Sequence, residues 1–267
     1  MRLQEIIKQV KPAVVAMSAI KKGGPKGFVF DIVGSGFNIH PNGLVVTNHH
    51  VIKCFVDNFM QRKQVPGYEI DMLQGEALNA LFYALVDDPS LKRTIKLFSQ
   101  VVRSSFYDEE KDFSLCTLSQ IKDSLPYLRL EDSNKVEEGD EVCVCGFPYG
   151  SNLHDAVSGV HISVCTGIIS SIIPFAGVPE DYIQAFQLDI LLNPGNSGGP
   201  VIHAKSGRVI GIATSTYSPK QSGVAVPSGI SFAIPINFVK KKIQNKCNIS
   251  EDEFQDFQDK ELPDGLR

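Results

Sequence analysis

Short apolar runs, each closed by glycine, proline or asparagine, set the tightest limit on how this chain folds. They include Ala13–Ile20, Gly27–Ile39, Gly43–Thr47, Glu141–Cys145, Val160–Ile172, Ile183–Leu188, Pro200–His203, Val209–Thr214 and Ile230–Ile236. Pro41-Asn42-Gly43 between two of them is a hairpin signal. Many short strands joined by turn chemistry describe an all-β barrel or sandwich and exclude an alternating βαβ sheet. At 267 residues with 43% hydrophobic and 21% charged residues, the chain can bury a core. The length allows one large β unit.

Three segments depart from this texture. Leu3, Ile6, Ile7 and Val10 fall at helical spacing and predict a short docking helix. Residues of about 68–102 contain Glu76–Val86, where Leu78, Leu81, Phe82 and Leu85 also have helical spacing. That predicts a helical insertion in the β domain. From Glu251 to Arg267 seven acids oppose two bases, which predicts a solvated or loosely docked acidic tail over 249–267.

The net charge of −4 and the lack of a basic run give no footprint for nucleic acid. No apolar run reaches the roughly 18 residues of a membrane span. The six cysteines form no paired framework, and most lie in strand-like runs, as buried free thiols would. With an N-terminus that lacks an apolar signal core, they predict a cytoplasmic protein. Cys143-Val144-Cys145 brings no further ligands with it, so no metal or cofactor is expected.

Asn193-Pro194-Gly195-Asn196-Ser197-Gly198-Gly199-Pro200 sets one serine among three glycines. An ordinary turn can have this composition. So can a loop that must push out a nucleophilic hydroxyl and aim backbone N–H groups at a developing oxyanion. A serine hydroxyl is barely ionised at neutral pH, so a nucleophile needs a base and a group to orient that base. Among six histidines, the adjoining His49 and His50 lie where a strand ends at Thr47. Asp112 opens the apolar run to Leu118, where an acid is costly unless paired. The chain order His, Asp, Ser is that of chymotrypsin-like enzymes.

These segments resemble, in order, the HtrA/Deg branch of trypsin-like serine proteases. The likeness rests on Gly34–Ile39, Asn42–Val51, Gly139–Gly150, Asn193–Pro200 and Gly229–Pro235. It implies a mainly β fold of two six-stranded chymotrypsin-type barrels spanning 1–248. An N-terminal helix, the insertion and a C-terminal helix or tail would complete it. It also implies a serine endopeptidase with His50 as base, Asp112 as its orienter and Ser197 as nucleophile. An oxyanion hole would come from the N–H groups of Gly195 and Ser197, with Asn196 shaping the loop. Leu191, Leu192, Ser231, Phe232 and Ala233 would line the substrate pocket. As none is charged, the resemblance implies cleavage of a protein or peptide after small or medium apolar residues. Ser231 is a further candidate for a hydrogen bond to Asp112, as a serine makes in many chymotrypsin-like enzymes.

The sequence departs from the branch in two respects. The His50–Asp112 spacing is long, and no peptide-binding PDZ domain follows the last barrel strand. Two other readings stay open: a degenerate protease domain that binds peptides, and an enzyme held inactive until a partner orders the loop. The insertion and the acidic tail are the surfaces through which a protein regulator would act.

Overall fold

The computed structural model describes residues 2–23, 27–59, 78–86, 94–119, 121–152, 161–174, 183–216, 220–221, 224–225 and 228–266. The first six strands are β1 (Val14–Gly23), β2 (Gly27–Asn38), β3 (Leu44–Thr47), β4 (Leu78–Val86), β5 (Thr94–Asp108) and β6 (Phe113–Leu118). They close into an antiparallel barrel in the order β1-β2-β3-β6-β5-β4. A second barrel joins β7 (Glu141–Gly146), β8 (Ser163–Pro174), β9 (Ile183–Leu188), β10 (Pro200–His203), β11 (Val209–Thr216) and β14 (Ser231–Pro235) in the order β10-β11-β14-β9-β8-β7. The short β12 (Lys220–Gln221) and β13 (Val224–Ala225) pair only with each other. Closure leaves neither barrel an open edge. The two six-stranded barrels expected from the sequence are therefore present.

The apolar side chains form three clusters. One belongs to the first barrel and the helix leaving β3, around Met17, Val45, Phe55, Phe82 and Cys116. Another belongs to the second barrel, around Val144, Phe186, Leu188, Ile210 and Ala213. The largest draws on both barrels, including Phe37, Val46, Cys145 and Ile212, and so welds them together. Helix α1 (Leu3–Val10) inserts Ile6 and Val10 into it, as the helical spacing predicts.

The expected helical insertion is corrected. Leu78–Val86 is a strand, paired with β1 on one side and β5 on the other. Its apolar residues serve both faces: Leu78, Ala80 and Phe82 join the first-barrel cluster, while Leu81 joins the large shared one. A strand buried on both faces loses its polar alternation and imitates a helical stripe. Residues 94–102 belong to β5. The remaining parts of the expected insertion, 68–77 and 87–93, lie outside the described residues.

The acidic C-terminal segment is docked rather than solvated. Helix α3 (Asn237–Cys247) ends at Asn248, whose left-handed φ of 52° turns the chain back. Ser250 and Glu253 then cap each other's backbone at the start of α4 (Glu251–Gln255). Phe254, Phe257, Leu262 and Leu266 enter the shared cluster. Gln258 donates to the carbonyls of Ile39 (2.6 Å) and Leu128 (2.7 Å), so this buried amide is satisfied. Glu251, Asp252, Glu253, Asp256, Asp259 and Glu261 face outward while apolar residues between them face in, a split that a charge count averages away. Phe257 is 3% exposed, stacks on Phe254 and lies against the His40 ring. Phe257→Ala should cost about 3–5 kcal/mol and lower Tm by roughly 10 °C in a thermal melt. An unchanged Tm would mean the segment does not hold the core.

Candidate active site

The two adjoining histidines separate at the end of β3. Asn48 follows Thr47, and helix α2 (His49–Phe59) begins at once. Val51, Ile52, Phe55 and Val56 are buried in the first-barrel cluster, at the spacing of one helical face. That anchoring fixes the first turn. His49 is buried and stacks on Tyr107 with ring centroids 4.4 Å apart. Burial pushes its pKa below the usual imidazole range, and its Nδ1 has no hydrogen-bond partner. His50 faces outward, with a side chain 48% exposed.

Asp112 sits in the turn between β5 and β6 with φ 51°, a left-handed conformation that Asp tolerates better than most residues. Its backbone carbonyl accepts from His49 N–H (3.2 Å) and Asn48 Nδ2 (2.9 Å). Its carboxylate grips His50 twice. Oδ2 lies 2.8 Å from His50 Nδ1, and Oδ1 accepts His50 N–H at 3.0 Å. Burial acts to raise the Asp112 pKa, but the hydrogen bonds from His50 and Thr214 outweigh it and hold the carboxyl below its ordinary value.

Thr214 Oγ1 donates to Asp112 Oδ2 at 2.9 Å. The group that bonds Asp112 from the second barrel is therefore Thr214, and the expectation for Ser231 is corrected. Ser231 is buried; it donates to Ile190 C=O (2.6 Å) and accepts from Leu192 N–H (3.3 Å). The β11–β14 register breaks between Ala213 and Thr216, which takes Thr214 out of the ladder. Its free carbonyl accepts a 2.8 Å hydrogen bond from Ser197 Oγ. Thr214 thus touches both Asp112 and Ser197. Thr214→Val should reduce kcat/KM about tenfold or more, since a lost bond to a charged group costs roughly 1.5–3 kcal/mol. Steady-state kinetics at neutral pH would check it.

The serine loop depends on its glycines. Gly195 has φ 95°, and a Cβ there would lie 2.3 Å from the Phe147 carbonyl oxygen. Gly198 has φ 85°, and a Cβ would lie 2.1 Å from the Ser35 carbonyl oxygen. Asn196 is buried between them and donates its N–H to Asn193 C=O at 3.1 Å. Among the described residues, the N–H groups of Gly195 and Ser197 have no hydrogen-bond partner.

The five expected pocket residues divide by strand alternation. Ser231 and Ala233 point into the second barrel, and Leu192 is also buried there. Leu191 is 45% exposed, and Phe232 is half-buried on the other face of β14. Ile230 shares the register of Phe232 and was not singled out by sequence, although a period of two places it there. The cysteines are all free: Cys116, Cys143 and Cys145 are buried, and Cys54 is exposed on α2. Burial pushes the Cys116 thiol up to about 12, which leaves it inert.

Residues 34–212 match the family model described as a trypsin-like peptidase domain. The chain belongs to the trypsin-like peptidase domain family. A probable periplasmic serine endoprotease DegP-like of Rickettsia conorii is 32% identical over 214 residues, 79% of this chain and 33% of that protein. The counterpart of Hahella chejuensis is 31% identical over 205 residues, 76% of this chain and 33% of that protein. The chain thus spans about a third of the length of these curated relatives. The crystal structure of Deg5, 24% identical, aligns with a TM-score of 0.58 over 89% of this chain and 90% of that one, in agreement on the fold. The cytoplasmic expectation is overturned by the periplasmic designation of these relatives. Free cysteines and the N-terminal sequence do not decide the compartment.

Proposed function

We propose that this chain cleaves peptide bonds through an acyl-enzyme, with Ser197 as nucleophile, His50 as general base and Asp112 as the residue that orients the base. The observation that carries this reading is the double grip of Asp112 on His50, tied through Thr214 to Ser197. His50 Nδ1–H bonded to Asp112 leaves Nε2 free to accept a proton. The Ser197 proton first turns from Thr214 C=O towards Nε2. Oγ then attacks the carbonyl carbon, and the carbonyl oxygen takes negative charge between the Gly195 and Ser197 N–H groups. His50 returns the proton to the leaving amine as the C–N bond breaks, and water hydrolyses the ester by the same path in reverse.

Leu191 and Phe232, with Ile230 beside them, support a preference for small or medium apolar side chains before the scissile bond. Cleavage of a proteome-derived peptide library by wild type and Ser197→Ala tests both points. Apolar cleavage sites present only with wild type support the reading; cleavage after Lys or Arg contradicts the pocket assignment. A second reading, an enzyme switched on by a partner or substrate, is favoured by one contact: the Ser197 hydroxyl rests on Thr214 C=O rather than on His50. A lag in product formation that shortens with added apolar peptide would support it.

A further inference from the structure

The serine loop meets the first barrel at one residue. Ser35 lies in β2, is fully buried, and makes four hydrogen bonds. Its N–H donates to Ser197 C=O at 2.9 Å. Its Oγ donates to Gly195 C=O at 2.6 Å and accepts Phe147 N–H at 2.9 Å. Its carbonyl accepts Thr47 Oγ1 at 2.7 Å. Three of the four partners belong to the second half of the molecule. Gly34 favours this approach, since a Cβ there would lie 3.3 Å from Ser197 C=O and 2.7 Å from Val51, while a Cβ at Gly36 would crowd Val46 C=O within the first barrel at 3.0 Å.

These bonds complete a pattern along the loop. In a planar trans peptide the C=O and the following N–H point opposite ways. Pro194 C=O is held by Tyr149 N–H, Gly195 C=O by Ser35 Oγ, Asn196 C=O by Gly199 N–H and Ser197 C=O by Ser35 N–H. Every carbonyl from 194 to 197 is therefore tied back into the protein. The Asn196 and Gly198 N–H groups are used internally, by Asn193 C=O and Ala213 C=O. Those of Gly195 and Ser197 are left over. The carbonyls that a flip would turn towards the developing oxyanion, those of Pro194 and Asn196, are held by Tyr149 and Gly199, while Ser35 pins the Gly195 and Ser197 carbonyls of the adjoining peptides, so a flip would lose a bond and turn against backbone that Ser35 fixes.

We propose that Ser35 is a positioning residue that holds the Gly195–Ser197 backbone in its anion-accepting conformation, across the junction of the two barrels. The proposal rests on Ser197 being the nucleophile. It is tested with Ser35→Ala against Ser133→Ala. Ser133 is likewise a buried bridging hydroxyl, bonded to Ile210 C=O and Asn237 N–H, but lies away from the loop. Three readouts are compared: kcat and KM on a peptide, inhibition by a peptide aldehyde whose hemiacetal oxygen occupies the oxyanion position, and amide exchange of the 193–199 segment.

Ser35→Ala should lower kcat about 10–100-fold, with KM changed less than about threefold, weaken the aldehyde and speed exchange of the segment. Ser133→Ala should do none of these, even at equal loss of Tm. Ser35→Cys, similar in size with a weaker donor, should give smaller changes of the same sign, and it serves if the alanine variant does not fold. Wild-type kcat and exchange in Ser35→Ala, or equal losses in Ser133→Ala, would overturn the proposal. If wild type neither cleaves peptide nor binds aldehyde, the endopeptidase reading fails, and the exchange comparison still decides whether Ser35 holds the loop.

Discussion

Ser197→Ala is expected to lower kcat by about 10⁶-fold while leaving Tm and peptide KM near wild type. The size follows from the mechanism. Without the hydroxyl no acyl-enzyme forms, and what remains is the modest help of the oxyanion site and of binding. The fold should tolerate the change because, among the described residues, Ser197 Oγ makes a single hydrogen bond, to Thr214 C=O. Loss of binding together with activity would mean that the hydroxyl holds the loop rather than performs chemistry.

Asp112→Asn is the second large effect, with kcat expected to fall by about 10⁴-fold. Its isosteric amide fits the turn but presents an N–H where the carboxylate accepts from His50 and Thr214. The His50 ring would then adopt the wrong tautomer or rotate. The same substitution has a signature in stability. The native Asp112 pKa lies below its ordinary value because its hydrogen bonds favour the charged form. A depressed carboxylate contributes stability that is fully present above the unfolded-state pKa of about 3.9. That stability is lost as pH falls through the native value. The Tm difference between wild type and Asp112→Asn should therefore be constant near neutrality and shrink below about pH 4. A gap that widens in acid would contradict the assigned direction.

The parts of this molecule that were legible in sequence are those where one residue type has one physical use. The strands of both barrels, β4 and β5 excepted, follow from short apolar runs with turn residues between them. Ser197 stands out because three neighbours are glycines that a Cβ would jam. Asp112 stands out because an acid opens a buried strand. Choosing between His49 and His50 took the family resemblance, since both occupy the same strand end. In the structure they separate because successive residues of a helix diverge by about 100°.

What could not be read is mostly three-dimensional in cause. β4 is apolar on both faces, so its period gives no sign of a strand. The tail hides four core residues among acids. Thr214 reaches Asp112 only because a register break lifts it from the β11–β14 ladder, which no local pattern announces. Ser231, the residue expected there, has a hydroxyl too, but period-two alternation turns it into the barrel. Ser35 sits in a Gly-Ser-Gly stretch whose glycines mark close approach without saying to what. The partners of its hydroxyl are more than a hundred residues away in sequence.

Ser197, and no other hydroxyl, is expected to react as the activated nucleophile of this site. The most direct measurement is reaction of the folded chain with a fluorophosphonate, followed by intact mass and peptide mapping. A single adduct on Ser197, absent from Ser197→Ala and strongly slowed in Asp112→Asn, is the result expected. No adduct on wild type, or equal labelling of wild type and Ser197→Ala, would contradict it.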